Sequence, residues 1–325
     1  MSLPTRRIGT TDVHVTEVGL GGAPLGNLYS EVDDATAAAA VEAAWDAGIR
    51  YFDTAPHYGL GLSERRLGRA LAGRPREDYV LSTKVGRLLV PNPHPTGSDL
   101  GVGLFAVPDT VTRRFDFSAD GVRRSLEASL ERLAVDRVDI VLIHDPDDHL
   151  DQVVDEAAPA LVRLREEGVI SAVGVGMNQW QAPLRLVEEC DLDVVMLAGR
   201  WTLADRTGAP LMEACVSRGV SVLAAAPYNS GLLAADWPPD GAFFNYGPAP
   251  EEVLELARQL ARTAERHGAT LPQAAMQFPL RHAATAAVVA GVRTPQQARS
   301  TVQRALAELP AELWADLEEQ APNRD

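Results

Sequence analysis

The feature that most constrains this chain is the repeated alternation of short apolar segments with amphipathic segments along its 325 residues. Eight segments rich in β-branched or apolar residues are each followed by a loop, and helical spacing of apolar residues recurs between them. The predicted strands are residues 18–20, 50–53, 79–84, 139–144, 172–176, 194–198, 221–225 and 286–290, and predicted helices include residues 33–47, 118–133, 157–167 and 251–267. Strands that alternate with helices predict a parallel sheet.

Two parallel folds compete, the doubly wound open sheet and the (β/α)8 TIM barrel, and eight units favour the barrel. The first loop reads Gly19-Leu-Gly-Gly-Ala-Pro24, which does not open a helix as a Rossmann GxGxxG fingerprint does. No flexible linker divides residues 1–325, so we expect one α/β barrel domain, preceded by a β-hairpin at residues 6–16. Segments 91–108 and 227–250 are expected to be long loops on the catalytic face.

Composition narrows the class of partner and the compartment. The chain has 30 Lys+Arg against 45 Asp+Glu, a formal net charge of -15, which disfavours nucleic acids and anionic membranes as partners. Its two cysteines have no CxxC spacing, so neither a disulfide framework nor a zinc site is expected. Neither a signal peptide nor a membrane span is apparent, and we therefore expect a cytoplasmic protein.

Four polar residues follow three successive predicted strands, where a barrel carries its chemistry. Asp53 ends the second strand and is followed by Tyr58, Lys84 ends the third and His144 ends the fourth. A tyrosine acts as acid or base more easily when a cation stabilises its phenolate, a role for Lys84, which Asp53 would hold in place. His144 could orient a substrate oxygen. With no metal-ligand set apparent, this group predicts a redox enzyme that needs an external hydride carrier.

Each of these residues has an ordinary explanation when it is considered alone. Asp53 could stabilise a loop, Tyr58 could be a rim aromatic, Lys84 could be solvated, and a lone histidine at a strand end is more often structural. The catalytic interpretation is favoured because four residue types required by one mechanism occur in order at three successive strand ends. Ser63, by contrast, is expected to be a helix N-cap.

The sequence resembles the aldo-keto reductase family in several blocks that keep their order and spacing between about Arg6 and Thr301. These blocks are Asp46-Ala-Gly-Ile-Arg-Tyr-Phe-Asp-Thr-Ala-Pro-His-Tyr-Gly59, Ser63-Glu-Arg-Arg-Leu-Gly68, Ser82-Thr-Lys-Val85, residues 125–144 and Val173-Gly-Val-Gly-Met-Asn178. The resemblance implies that Tyr58 donates or accepts the proton, that Lys84 and Asp53 tune it, and that His144 orients the carbonyl. It also implies a nicotinamide cofactor, NAD(P)(H), bound without a Rossmann motif.

The resemblance further implies which residues bind this cofactor. Asn178 would hold the nicotinamide amide, Tyr228 would stack on the ring, and Gly22 would lie close to the cofactor. Pyrophosphate contacts would come from a short stretch after the seventh strand, Asn229, Ser230, Gly231 and Leu232. Met177 and Ala198 stand where many members of the family have Ser and Gln, so one or two amide contacts must differ here.

The choice between NAD and NADP is expected to depend on residues at the eighth strand. Gly291 and Val292 replace a Lys-Ser pair that binds the 2′-phosphate in many relatives, and Gln297 replaces a family arginine. Losing the lysine and the arginine weakens binding of the 2′-phosphate more than binding of the unphosphorylated ribose, because charge-assisted hydrogen bonds dominate phosphate binding. Arg293 could restore part of the preference. We therefore expect NAD(H), with Gly291, Arg293 and Gln297 near the ribose.

Short motifs around residues 144–147, 197–203 and 225–231 are most similar to the bacterial aldose 1-dehydrogenase branch, which includes pyridoxal dehydrogenases. The expected partner is a small carbonyl or sugar, and no oligomeric state is indicated. His57 and Asp145 would bind its hydroxyl groups or stabilise a loop, and Arg200 would add a further hydroxyl-binding group. Trp201, with Trp180 and Phe105, would form an apolar wall or pack structurally. Two rival functions remain open, a cofactor-binding regulator similar to potassium-channel beta subunits and a barrel isomerase or lyase.

Overall fold

The computed structural model describes residues 2–320, in which eight parallel strands close into a barrel. In chain order, β1 to β8 are Val18–Gly21, Tyr51–Asp53, Val80–Val85, Ile140–His144, Ala172–Met177, Val194–Ala198, Ser221–Ala225 and Thr285–Gly291. Each strand pairs with the next one in the chain, and β8 pairs with β1. The predicted (β/α)8 barrel is therefore confirmed, and the doubly wound alternative is wrong.

The helices surround the barrel. In chain order, α1 to α10 are Asp34–Asp46, Leu62–Leu71, Ala119–Leu133, Ala158–Glu166, Gln181–Glu189, Ala209–Arg218, Glu251–Arg266, Leu271–Gln277, Pro295–Ala305 and Ala311–Glu319. Side chains cap the first and third of these helices, because Asp33 accepts from the amide of Thr36 and Ser118 accepts from the amide of Gly121. A π-helical turn at Val153–Ala157 precedes α4. None of the helices described is long and apolar enough to cross a membrane.

Apolar side chains fill the barrel interior and separately join the barrel to its helices. The predicted N-terminal hairpin is present as Thr5–Arg7 paired with His14–Thr16. Ile8, Val13 and Val15 from this segment are buried in the interior cluster with strand residues such as Leu142 and Met196. The interior is thus packed, and the polar side chains that end the strands are left to form a site at the opposite rim.

Two long loops follow β3 and β7, as expected. The loop after β3 contains a hairpin of Arg87–Pro91 with Val111–Phe115, and the loop after β7 contains a turn at Asn229–Gly231 and a short pairing of Phe243–Phe244 with Gly247–Pro248. Residues of both loops line cavities together with residues from the carboxyl ends of the strands. Both loops therefore belong to the catalytic face.

The expected role of Ser63 as an N-cap is wrong. The N-cap of α2 is Gly61, whose φ of 81° favours glycine, and Ser63 lies buried inside the first turn. Its hydroxyl donates to the carbonyl oxygen of Gly22 at 2.7 Å and lies 2.8 Å from the hydroxyl oxygen of Thr54. Ser63 therefore joins the loop after β1 to the loop after β2.

Candidate active site

A buried ion pair between Asp53 and Lys84 forms the base of the site. The Lys84 ammonium donates to the two carboxylate oxygens of Asp53 at 2.8 and 2.6 Å and to the carbonyl oxygen of Thr54 at 3.0 Å. Ser82 donates to the same carboxylate at 2.8 Å. Only 2% of either charged side chain is exposed. These hydrogen bonds fix the position of the Lys84 ammonium. The geometry therefore agrees with the expectation that Asp53 holds Lys84 in place.

Tyr58 lies above this pair, in the loop after β2. Its ring centroid is 4.7 Å from the Lys84 ammonium nitrogen and 5.8 Å from the ring of His144, which meets it edge to face. The loop is held close to the loop after β1, because a Cβ on Gly59 would lie 2.2 Å from the carbonyl oxygen of Gly26. Two glycines at this contact thus allow Tyr58 to approach the ion pair. The structure brings all four predicted catalytic residues together.

Burial sets the protonation of the phenol and the imidazole. It raises the pKa of Tyr58 well above its usual value, with Asp53 and Asp145 acting in the same direction and Arg87 opposing them. Burial also lowers the pKa of His144 well below its usual value, and Arg87 and Lys84 add to that effect. In the protein alone, Tyr58 is therefore a neutral phenol and His144 a neutral imidazole. The stabilisation of the phenolate by a cation, which the sequence suggests, is outweighed by burial in the pKa of Tyr58, and Arg87 is the cation that lowers this pKa.

Two adjoining cavities meet at Tyr58. One, of about 410 Å³, extends from Asp53 past Tyr228 to Arg304, and we call it the long cavity. The other, of about 490 Å³, lies between the loop after β3 and the ends of β4 and β5, and we call it the side cavity. Residues that line both include Ala23, Leu28, Tyr58, Met196, Ala198, Ala225 and Tyr246. A molecule in each cavity could therefore contact the Tyr58 side chain.

The long cavity fits an extended polar cofactor. The predicted residues Tyr228, Asn229, Ser230 and Gly231 line it, and Asn229, Ser230 and Gly231 have φ of 45°, 59° and 101°. The amides of Asn229 and Gly231 donate to the carbonyl oxygens of Ala226 and Tyr228 at 3.0 Å each, so backbone hydrogen bonds fix the shape of this turn. The buried Oδ1 of Asn229 has no hydrogen-bond partner within residues 2–320. A bound group could satisfy that atom.

Other predicted cofactor residues lie beside this cavity. Gly22 donates its amide to the carbonyl oxygen of Asp53 at 2.8 Å, and its neighbours Gly21 and Ala23 line the long cavity. Leu232 is fully buried. Asn178 lines the side cavity and accepts a hydrogen bond from the Tyr246 hydroxyl at 3.2 Å. Gly22 and Leu232 therefore adjoin residues that line the long cavity, whereas Asn178 lines the side cavity and is bonded to Tyr246, which lines both.

The far end of the long cavity holds the predicted coenzyme-selecting residues. Gly291 and Gln297 line it. Arg293 is engaged elsewhere, because its guanidinium donates to the Ser30 hydroxyl and the Leu28 carbonyl oxygen, and its amide donates to Oε1 of Gln297 at 2.8 Å. The guanidinium of Arg293, which the sequence suggests as a partner for a 2′-phosphate, is thus already bonded to the loop after β1.

The side cavity is lined by charged and aromatic groups. Two predicted residues, His57 and Asp145, line it, as does Phe105, which the sequence had suggested for an apolar wall. Asp145 accepts from the Arg87 guanidinium at 2.5 Å, and both side chains are largely buried. Burial raises the pKa of Asp145 to about 6, and Arg87 opposes the rise. The cavity therefore offers several hydrogen-bonding groups in a desolvated setting.

Trp201 and Arg200 are not brought to the site. Trp201 packs against Phe278 and His282, with ring centroids 5.6 and 5.1 Å away, and Arg200 is 3.3 Å from Asp205. Among the described residues that line the two cavities, neither appears. Gly199, with a φ of 71°, turns the chain immediately after β6. The expected tryptophan wall is not observed, and Phe105 and Tyr246 supply aromatic surface instead.

Several residues at the site were missed by the sequence analysis. Arg87, Arg113 and Tyr246 lie in the two long loops, and Arg304 lies on α9, where it donates to the Tyr228 hydroxyl at 3.1 Å. Neither the hairpin strands that hold Arg87 and Arg113 nor the loop around Tyr246 shows an apolar alternation that would indicate which way these side chains face. The one usable signal was the placement of Arg87 three residues after Lys84, just beyond a strand end.

Comparison with known proteins agrees with this arrangement. The family model described as the aldo/keto reductase family matches residues 17–321. A D-threo-aldose 1-dehydrogenase of Pseudomonas sp is 45% identical over 94% of both chains, and a pyridoxal 4-dehydrogenase of Microbacterium luteolum is 38% identical over 96% of both. The solved holo form of an aldo-keto reductase from Bacillus halodurans has a TM-score of 0.80, with 26% identity and coverage of 98% of this chain and 97% of that one.

Proposed function

Because the chain belongs to the aldo/keto reductase family of nicotinamide-dependent oxidoreductases, we propose that its substrate is an aldose or a related polar aldehyde. The reacting centre would be a carbonyl or alcohol carbon held in the side cavity. The observation that carries the proposal is the position of Tyr58 between two cavities, with a buried ion pair beneath it and His144 beside it. The resemblance to an aldose 1-dehydrogenase supports the substrate class.

Tyr58 is the proposed proton donor in reduction and proton acceptor in oxidation. Burial keeps the phenol protonated, so in reduction it can give its proton to the oxygen of the substrate. In oxidation the phenol oxygen of Tyr58 must accept the proton of the substrate hydroxyl. The nearby Lys84 ammonium favours the phenolate that this step requires. Asp53 fixes the lysine and keeps the net charge beneath the ring low. His144, a neutral imidazole, would orient the substrate oxygen by a hydrogen bond.

The long cavity would hold the cofactor. Tyr228 is the proposed ring partner, Asn229, Ser230 and Gly231 the proposed pyrophosphate partners, and Asn178 a proposed partner of the amide. The cofactor, when bound, supplies or removes the hydride of the reaction. Arg304 bonds to the Tyr228 hydroxyl and to the carbonyl oxygen of Ala234, and it would fix the tyrosine ring.

We propose that the preferred coenzyme is NAD(H). Gly291 brings no charge to the far end of the long cavity, and Gln297 brings an amide. Arg293 is bonded to Ser30 and Leu28 and would have to leave both to meet a 2′-phosphate. Steady-state kinetics with both coenzymes test this. A higher kcat/KM with NADP that Arg293→Ala abolishes would overturn the proposal.

The groups around the side cavity support a polyhydroxylated substrate. His57, Arg87 and Asp145 together present donors and an acceptor that are largely shielded from water. Desolvated groups of this kind favour ligands that satisfy them, and an analogue without the matching hydroxyl leaves them unpaired. Deoxy sugars are therefore expected to react much more slowly than the parent aldose.

A panel of aldoses and aldehydes, assayed with NAD and NADP by absorbance of the reduced nicotinamide, tests the proposal. We expect turnover with at least one aldose, and equal rates on a plain apolar aldehyde and the best sugar would contradict the substrate class. Cofactor binding without turnover would instead support the regulator. The cytoplasm remains the proposed compartment, and the free thiols of Cys190 and Cys215 agree with a reducing setting.

A further inference from the structure

Arg113, in the loop after β3, binds the imidazole of His57 and is itself held by Asp99 of the same loop. Arg113 and Asp99 form a bidentate ion pair, and only 8% and 4% of their side chains are exposed. Nε of Arg113 donates to Nδ1 of His57 at 2.7 Å, and Nη2 donates to the His57 carbonyl oxygen at 3.1 Å. One guanidinium therefore holds both the side chain and the backbone of the residue that precedes Tyr58.

The chemistry of these groups determines where the imidazole carries its proton. A guanidinium has only N–H donors, so the ring nitrogen it contacts must accept. Burial, aided by Arg87, Arg113 and Lys84, lowers the pKa of His57 to about 2, and the ring is neutral at physiological pH. A neutral imidazole that accepts at Nδ1 has its hydrogen on Nε2. His57 lines the side cavity, where this N–H is the group left to bind a substrate.

We propose that Arg113 and Asp99 are positioning residues that fix His57 as an Nε2–H donor, so that this ring selects an acceptor oxygen on the substrate. The inference rests on the proposed function and deepens it. A hydroxyl or ring oxygen of a sugar satisfies the donor, whereas a carbon at the same place leaves it unpaired. The Asp145 carboxylate on the same cavity can only accept, so the two residues recognise opposite partners.

The side chains of Asp99 and Arg113 are closely packed against other residues of the same loop. A Cβ on Gly103 would lie 2.3 Å from Nη2 of Arg113 and 2.3 Å from Oδ2 of Asp99. Arg113 also lies over the Phe105 ring, and Phe105 contacts the His57 ring edge to face at 5.2 Å. A side chain at position 103 would therefore have to displace the ion pair, and Phe105 confines the imidazole on a second side.

The test compares Arg113→Met with Arg114→Met. The control removes the same charge from the next residue of the same strand, where the side chain is exposed. For the best aldose found in the panel, we expect Arg113→Met to raise KM roughly ten-fold with a smaller change in kcat, consistent with one hydrogen bond to a buried partner. With a plain aldehyde, which lacks the matching oxygen, we expect KM to rise less than it does with the aldose. The control should match wild type with both substrates.

Nitrogen-15 NMR of the free enzyme provides a readout that does not depend on turnover. We expect the His57 resonances, assigned by their loss in His57→Gln, to show a protonated Nε2 and an unprotonated Nδ1, and Arg113→Met to give a mixture of tautomers. A protonated Nδ1 in wild type, or equal effects of Arg113→Met and Arg114→Met, would overturn the inference. If Arg113→Met does not fold, the wild-type spectrum and the spectrum of Asp99→Asn test the inference instead. We expect Asp99→Asn to give a partial mixture of the two tautomers. Failure of the whole aldose panel would refute the proposed function and leave the NMR result standing.

Discussion

The buried pair of Asp53 and Lys84 allows its electrostatic and catalytic roles to be measured separately. Lys84→Met removes three hydrogen bonds and leaves a carboxylate with 2% of its side chain exposed, bonded only by Ser82 among the contacts described above. Removing one partner of a buried ion pair typically destabilises a protein by about 3–5 kcal/mol. We expect a loss of this size in the free energy of unfolding at pH 8.

The double variant Asp53→Asn/Lys84→Met should recover much of that loss. It removes the uncompensated charge, keeps an acceptor for Ser82, and leaves at most an unsatisfied amide, at a cost of about 1–3 kcal/mol. We therefore expect it to lie between Lys84→Met and wild type in stability. Both variants should have little turnover, because neither has the ammonium beside Tyr58. Recovery of stability without recovery of activity would separate the two roles.

The pKa of Asp53 predicts how the stability of Lys84→Met changes with pH. Burial already raises the pKa of Asp53 in the folded protein, while Lys84 lowers it, so deleting Lys84 raises the pKa further. A group that binds its proton more tightly when folded makes the folded state less stable as pH rises. The deficit of Lys84→Met should therefore shrink as the pH falls from 8 towards 5, and the double variant should lack this added dependence.

Urea unfolding followed by far-UV circular dichroism, at several pH values and with one buffer series, measures these differences. The slope of the transition should be similar in all variants, so that midpoints can be compared. The reasoning would be refuted if Lys84→Met were as stable as wild type at pH 8. It would also be refuted if the double variant were as unstable as Lys84→Met, because the deficit would then have another origin than the unpaired charge.

Three other predictions concern the rim. Tyr58→Phe should lower kcat by ~10²–10⁴ and leave cofactor affinity, measured by fluorescence, nearly unchanged; a near-normal rate would remove the phenol from the mechanism. Asp145 should take up a proton below about pH 6, so kcat/KM for an aldose should fall there relative to a plain aldehyde, and Asp145→Asn should lose this limb of the pH profile. Gly59→Ala should lower kcat and cost more than the roughly 1–2 kcal/mol of left-handed strain, because its Cβ meets Gly26. Gly73→Ala, with the strain but open space, is its control.

The barrel and the clustering of the four candidate catalytic residues were predictable from sequence for a definite reason. Strand ends meet at one rim in a barrel, so residues as far apart as Asp53 and His144 could be placed together from strand positions alone. Every barrel strand was predicted to within one residue at each end, because buried parallel strands are short, nearly continuous apolar runs. The protonation of Tyr58 was harder to predict, since the direction of its pKa shift depends on how far burial outweighs the opposing charge of Arg87, and burial is a property of the packed rim.

Contacts within the loops could not be predicted in the same way. Arg113 bonds to a residue 56 positions earlier, and Arg87 bonds to one 58 positions later. Their loop has neither a helical nor a strand period along most of its length, so no pattern indicates which residues turn inwards. For Trp201 the sequence left an apolar wall and structural packing open, and the chain takes the second, because the turn at Gly199 leads the ring into packing with Phe278.

The bridge from Asp99 through Arg113 to His57 has a consequence for how such an enzyme can diversify. Loops on the catalytic face are where barrels usually change specificity, because they can be exchanged without disturbing the strands. Here the exchangeable loop holds the residue next to Tyr58 in sequence, so transplanting a loop from another barrel also releases the immediate neighbour of the proposed proton donor. Library designs that retarget this scaffold should therefore vary the loop and residue 57 together, and should retain an internal cation or another donor for that position.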